Sequence, residues 1–212
     1  SFLVSANLNF GDKEEGADGI VFVLQAISTS AIGNTAGGIG FESIRSPVLS
    51  GSSLGVEFDT WQNTDFADPA FDHIAILKNG TVNHNTINGS LAGPVQASAN
   101  NMNIEDGNFH DVRISWDSDN KELSVYFDCD LSGEPRLTYT GDIVNDIFDG
   151  DSEVFWGFTS ATGGFNNTHQ VCISYTTFLD GLRDTTIACG ESVQLEALGG
   201  VSYEWTPAVG LS

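Results

Sequence analysis

The stretch VEFDTWQNTDFADPAFDH, residues 56 to 73, holds Glu57, Asp59, Asn63, Asp68 and His73 within one short span. Strand-like text surrounds the first two, and alternate residues of a strand project from the same face. Glu57 and Asp59 therefore share one face, and Val56 and Phe58 the other. No Lys or Arg lies between Arg45 and Lys78 to neutralise the pair. Two adjacent carboxylates repel each other, and a divalent cation, which takes several oxygen ligands, offsets that. Asn63 and Asp68 add an amide oxygen and a third carboxylate. His73 is an unusual calcium ligand but an ordinary one for manganese, iron or zinc. The mixture suggests two neighbouring ions, one with an all-oxygen shell and one taking the histidine.

Two other readings compete. A retaining glycosidase needs two carboxyl groups ~5–5.5 Å apart across the sugar bond, and some jelly-roll glucanases carry Glu-x-Asp-x-Glu on one strand. Here the third position is Trp61, so no catalytic residue is assigned. The remaining reading is a solvated acidic loop.

The elements that must position these residues are strands almost throughout. FLVSANLNF, GIVFVLQAI, SLGVEFDTW, HIAILKNG, HDVRISWDS, KELSVYFD, VFWGFTSA and HQVCISYTTF are short runs rich in Val, Ile, Phe, Tyr and Trp. DSDNKE (117–122) and KNGT (78–81) read as hairpin loops, and only IVNDIFDG (143–150) could make a helical turn or two. Many short strands at even spacing imply an all-β sandwich or jelly roll. Trp116 and Trp156 belong to its core. His84, His110 and His169 have no ligand-like spacing and read as surface or structural residues.

The 212 residues carry 7 Lys+Arg against 29 Asp+Glu, a net charge of −22. Such a surface repels nucleic acid and anionic membranes, and no segment approaches the ~18 apolar residues of a membrane helix. Neither kind of partner is expected. Cys129 and Cys172 both lie in strand-like text, and a disulfide between them is expected. Cys189 is left over, and no CxxC pair points to zinc. The chain opens on SFLVSANLNF and stops at YEWTPAVGLS, which reads as an excised piece of a longer protein.

With its spacing Glu-x-Asp-x-aromatic-x-Asn-x4-Asp-Pro-x3-His-Ile, the stretch from Val56 resembles the legume-lectin-type (L-type) lectin domain. GADGIVFVL (16–24), AGGIGF (36–41) and FWGFTSATGG (155–164) match in the family's order. The resemblance covers most of residues 1–182. It implies a concanavalin-like jelly-roll β-sandwich that binds sugars and needs calcium and a transition metal, with manganese expected. It implies that Asp59 and Asp68 bridge both ions and that Glu57 and His73 complete the transition-metal site. Asn63 and the Trp61 carbonyl would complete the calcium site. Asp18, after a cis Ala17–Asp18 peptide, would accept hydrogen bonds from sugar hydroxyls. Gly37 or Gly38 would offer a backbone N–H, Trp61 an aromatic face and Asn63 its amide. Thr162, Gly163 and Gly164 would form the loop that tunes specificity.

Residues 183–212 read differently. RDTTIACGESVQLEALGGVSYEWTPAVGLS resembles the opening of Ig-like or PKD-like repeats of large secreted bacterial proteins. The expectation is a non-catalytic, metal-dependent carbohydrate-binding module of an extracellular or cell-surface chain with further domains. The alternatives are a polysaccharide hydrolase on the same fold and a structural or adhesive module that keeps its ions for stability.

Overall fold

The computed structural model describes residues 1–42, 52–85, 89–128 and 133–177. Its strands are β1 (Phe2–Asn9), β2 (Gly19–Gln25), β3 (Ser53–Asp59), β4 (His73–Lys78), β5 (Ser90–Gln96), β6 (His110–Asp117), β7 (Glu122–Phe127), β8 (Leu137–Thr140), β9 (Phe155–Ala161) and β10 (Gln170–Thr176). One helical turn, α1 (Ile143–Asp146), is capped by Asp142, whose side chain accepts from the Asn145 N–H. The strands make two antiparallel five-stranded sheets, ordered β10-β1-β6-β7-β8 and β5-β4-β3-β2-β9. This is the jelly-roll sandwich the strand pattern predicts.

Alternation builds the core. Val4, Ala6 and Leu8 of β1 and Val112, Ile114 and Trp116 of β6 face inward from one sheet. Ile20, Phe22 and Leu24 of β2 and Leu54, Val56 and Phe58 of β3 face them from the other. The opposite face of β2, β3 and β4 would be open to water in a bare sandwich, but a second apolar cluster covers it. There Val21, Val23, Ala75 and Leu77 pack under Ile39, Phe41 and Val82. The 33–42 segment thus lies over the sheet, pinned by the Thr159 hydroxyl donating to the Ile39 carbonyl at 2.9 Å. A Cβ at Gly55 would stand 3.0 Å from the Phe41 ring, so the ring seats directly on the glycine.

Three local readings change. DSDNKE joins β6 to β7 as a hairpin, but KNGT does not close one. Asn79 and Gly80 turn at positive φ, yet the strand that pairs with β4 begins only at Ser90. That strand, β5, escapes sequence reading because Gly93 and Pro94 interrupt its alternation with a cis peptide and shifted register. β8, four residues long, is too short to show a period.

The expected disulfide is not formed among the described residues: Cys172 on β10 is an exposed free thiol, and Cys129 lies outside them. Cys189 and the proposed second module at 183–212 also lie outside the described residues. No helix among the described residues is long and apolar enough to cross a membrane.

Candidate metal centre

Register places the acids. Across the sheet, Glu57 of β3 is flanked by Val21 of β2 and Ala75 of β4, and Asp59 by Gly19 and His73. The outer face therefore runs from apolar rows into a row of ligand types. Glu57 is 0% exposed, Asp59 2% and His73 1%. Both Glu57 carboxylate oxygens are buried without a hydrogen-bond partner. A buried, unpartnered carboxylate is costly enough that it needs a cation or a proton.

The chain after β3 returns over this row. The Trp61 N–H donates to Asp59 Oδ1 at 2.7 Å, and the Asn63 N–H donates to Asp68 Oδ2 at 2.6 Å. A 3₁₀ turn, Thr64–Phe66, lets the Asp68 carboxylate fold back on Asn63. Ligand atoms of Asp59, Asp68 and His73 lie within 4.8 Å of one another. Burial holds the Asp59 carboxyl well above the usual carboxylate range, with the charges of Glu57 and Asp68 adding to it and the Trp61 N–H working against it. Of the expected ligands, Glu57, Asp59, Asp68 and His73 lie close together, and Asn63 joins them through its backbone N–H on Asp68, with Trp61 on the same loop.

Sequence reasoning missed one member of the group. His84, read as surface or structural, stands inside the pocket, with its side chain 3% exposed. Its Nε2 lies 3.0 Å from His73 Nε2, 3.5 Å from Glu57 Oε2 and 3.3 Å from Asp68 Oδ1. The Glu57, His73 and His84 ligand atoms also fall within 4.8 Å of one another. The His84 backbone N–H donates to the Phe66 carbonyl at 2.9 Å, which ties the loop after β4 to the loop after β3. Burial pulls the His84 imidazole down, but the hydrogen bond to Asp68 and the charges of Glu57 and Asp68 outweigh it and raise its pKa. The polar text around His84, TVNHNT, has no strand period that would aim the ring. His110 is structural: its Nε2 donates to the Ile104 carbonyl at 2.9 Å, and Asp128 holds the other nitrogen. His169 is half-buried against the Ser160 hydroxyl.

Beside the acidic row lies a second group. The Ala17–Asp18 peptide is cis, and the Asp18 main chain is locked on both sides. Its N–H donates to the Ala161 carbonyl at 3.1 Å, and its carbonyl accepts from the Thr60 N–H at 3.0 Å. Asp18 is 4% exposed, its Oδ2 has no partner, and burial raises its carboxyl to about 6. Gly37 packs on the Asn63 amide. Gly38 faces Asn34 and Glu42 instead. A Cβ at Gly163 would stand 3.7 Å from Asp18 Oδ2, whereas Gly164 faces open space and Thr162 is exposed.

Trp61 lies past the end of β3, so alternation does not orient it. Its indole stacks on Phe165, with centroids 4.4 Å apart and planes at 24°. Phe165 is 50% exposed and was not singled out by the sequence. An aromatic side chain within the glycine-rich run TGGFNN was the available signal. Asp18, Gly37, Asn63, Trp61, Gly163 and Phe165 therefore come from four loops that touch one another in pairs, Gly37 on Asn63, Gly163 beside Asp18 and Trp61 on Phe165.

Known proteins are similar to this chain in sequence and fold. The chain is 29% identical over 191 residues to the pesticidal crystal protein Cry22Aa of Bacillus thuringiensis, covering 81% of this chain and 26% of that protein. It is 30% identical over 132 residues to the galactose-binding lectin of Arachis hypogaea, covering 59% and 41%. It thus spans less than half the length of either relative. Lectin II from Ulex europaeus superposes with a TM-score of 0.61 at 26% identity, covering 81% of this chain and 70% of that one. The family model of the legume lectin beta-barrel domain matches residues 1–175, and the chain belongs to that L-type lectin family.

Proposed function

We propose that the domain binds carbohydrate without catalysis and that a calcium ion and a transition-metal ion order the loop that meets the sugar. The observation that carries this reading is Glu57, fully buried with both carboxylate oxygens unpartnered among Asp59, Asp68 and His73. That donor set fits a bound cation. Asp59, Asp68, Asn63 and the Trp61 carbonyl would hold the calcium. Glu57, Asp59, Asp68 and His73 would hold the second ion. Bound there, the ions supply positive charge that offsets the repulsion among the carboxylates.

The chain's own groups then do the recognition. Asp18 Oδ2, buried and without a partner, accepts from sugar hydroxyls, and Asn63 donates from its amide. Gly37 lets the sugar approach its backbone N–H because no side chain intervenes. Trp61 offers an aromatic face to the sugar's C–H patch. Gly163, beside Asp18, shapes the rim with Thr162 and Gly164. Fixing these groups before the ligand arrives removes the ordering cost from binding. The name of the Arachis hypogaea relative, a galactose-binding lectin, supports a hexose of that class as first ligand to try.

A hydrolase is disfavoured because Glu57, with no exposed surface, has no route to a glycosidic bond. We place the domain at the cell surface or outside the cell, as one module of a longer chain. The test is a glycan array probed in calcium and manganese, with Asp18→Ala as control. Binding by the native chain that Asp18→Ala abolishes, with both ions retained, supports the reading. A purely structural or adhesive module would bind no glycan.

A further inference from the structure

The second histidine of the pocket points to a particular kind of metal centre. We infer that His84 is itself a ligand of the ion held by Glu57 and His73, so that this chain builds a two-imidazole centre selective for zinc-class borderline metals over manganese. The inference rests on the metal reading above and specifies one of its two sites.

Distance supports it first. Two nitrogens each ~2.1 Å from one ion are about 3.0 to 3.4 Å apart for angles at the ion from a right angle to tetrahedral. The His73 and His84 Nε2 atoms stand 3.0 Å apart. The two rings meet edge to face, at 79° with centroids 4.9 Å apart, so both nitrogens can aim at one point without the rings clashing. Glu57 Oε2 lies 3.7 Å from one Nε2 and 3.5 Å from the other, and Asp68 Oδ1 lies 3.3 Å from His84 Nε2. Each of these separations fits atoms that share an ion, and the 3.3 Å one also lies within hydrogen-bond reach.

Burial supports it second. The two imidazole side chains are 2% and 3% exposed and that of Glu57 1%, so water has little access to the place where they point. The His84 main chain is anchored to the Phe66 carbonyl, which holds the ring over the pocket on a fixed backbone. Chemistry supplies the selectivity. Carboxylate and water suit manganese, whereas imidazole suits zinc, cobalt and nickel, which also bind nitrogen more tightly in the general order of divalent affinities. Exchanging an oxygen donor for a second nitrogen moves the site toward the latter.

Cobalt(II) reports the ligands directly. The chain is freed of metal with a chelator, returned to calcium and loaded with one equivalent of cobalt. An imidazole bound through Nε2 carries its proton on Nδ1, and cobalt shifts that proton far outside the ordinary proton spectrum. His84 Nδ1 is buried without a partner, so its proton is shielded from fast exchange. The expected spectrum has two such exchangeable resonances, with one lost in His84→Ala. Zinc affinity should fall at least tenfold in that variant, while manganese affinity changes less than threefold. A single shifted resonance in the native protein overturns the inference without using any variant, and leaves the metal reading intact. Failure of the native chain to take up cobalt, zinc or manganese overturns both.

Discussion

A Cβ placed on Gly37 would stand 2.5 Å from Oδ1 of Asn63. The loop that covers the outer sheet face therefore rests directly on the loop that carries Asn63 and Asp68. Real Cβ atoms do not approach that closely, so Gly37→Ala must push the Asn63 amide aside. Sugar affinity is expected to fall tenfold or more by calorimetry, while transition-metal content stays unchanged, because the atoms nearest the added Cβ belong to Asn63 and not to Glu57 or His73. Unchanged sugar affinity would remove Asn63 from the binding surface.

Glu57→Gln separates the cost of the buried charge from the value of the ion proposed to bind it. Without metal, the native protein buries an unpartnered carboxylate, which is unfavourable. The amide has the same shape and no charge. In chelator, Glu57→Gln is expected to melt several degrees above the native protein. With ions in large excess the order reverses, since a ligand present at 100 times its Kd stabilises by ~2.7 kcal/mol and the variant forfeits most of that for one ion. Calorimetric melting in both conditions checks the crossing.

Trp61 and Phe165 divide one aromatic wall. Trp61→Ala removes the surface proposed to meet the sugar, and at least a tenfold loss of affinity is expected. Phe165→Ala removes the stacked partner that holds the indole. Such aromatic pairs contribute about 0.5–1.5 kcal/mol, so a two- to tenfold loss is expected. Titration with a galactose-terminated glycan reads both. Tighter binding by Phe165→Ala would mean that Phe165 obstructs the indole face.

Glu105 sets a pH dependence of folding. The residue is 4% exposed. Burial raises its carboxyl to about 8, the Asn167 amide hydrogen bond opposes this, and the charges of Asp72 and Glu14 add to it. The folded state therefore keeps a proton that the unfolded state releases above about 4.5. Stability should fall as pH rises from that value through about 8, because the folded state binds more protons over the window. Glu105→Gln keeps a neutral side chain throughout and should flatten this slope in denaturant titrations at pH 5, 6.5 and 8. An equal slope in the variant would assign the dependence elsewhere.

The sandwich and most of the acidic row are legible in the sequence because both follow from alternation. Val56 and Phe58 against Glu57 and Asp59 already separate a core face from a ligand face, and the pairings with β2 and β4 keep that separation. β5 is not legible, since the cis Gly93–Pro94 peptide breaks the two-residue period. His84 is not legible for a different reason. A tertiary contact, its N–H on the Phe66 carbonyl, brings it to His73, and no spacing along the chain encodes that contact. Phe165 is hidden in the same way, being placed by the Gly163 N–H donating to its own carbonyl at 3.0 Å in a tight loop. Residues on strands declare their direction, whereas residues on loops are aimed by whatever they touch.

The central claim is that ions hold the sugar-binding loop in place, and reversible chelation tests it most directly. The native chain is titrated with a binding glycan before chelation, after removal of all divalent metal, and again after calcium and the transition ion are restored. The account predicts binding in the first and third titrations and none in the second. Affinity that persists undiminished with both ions removed would contradict it.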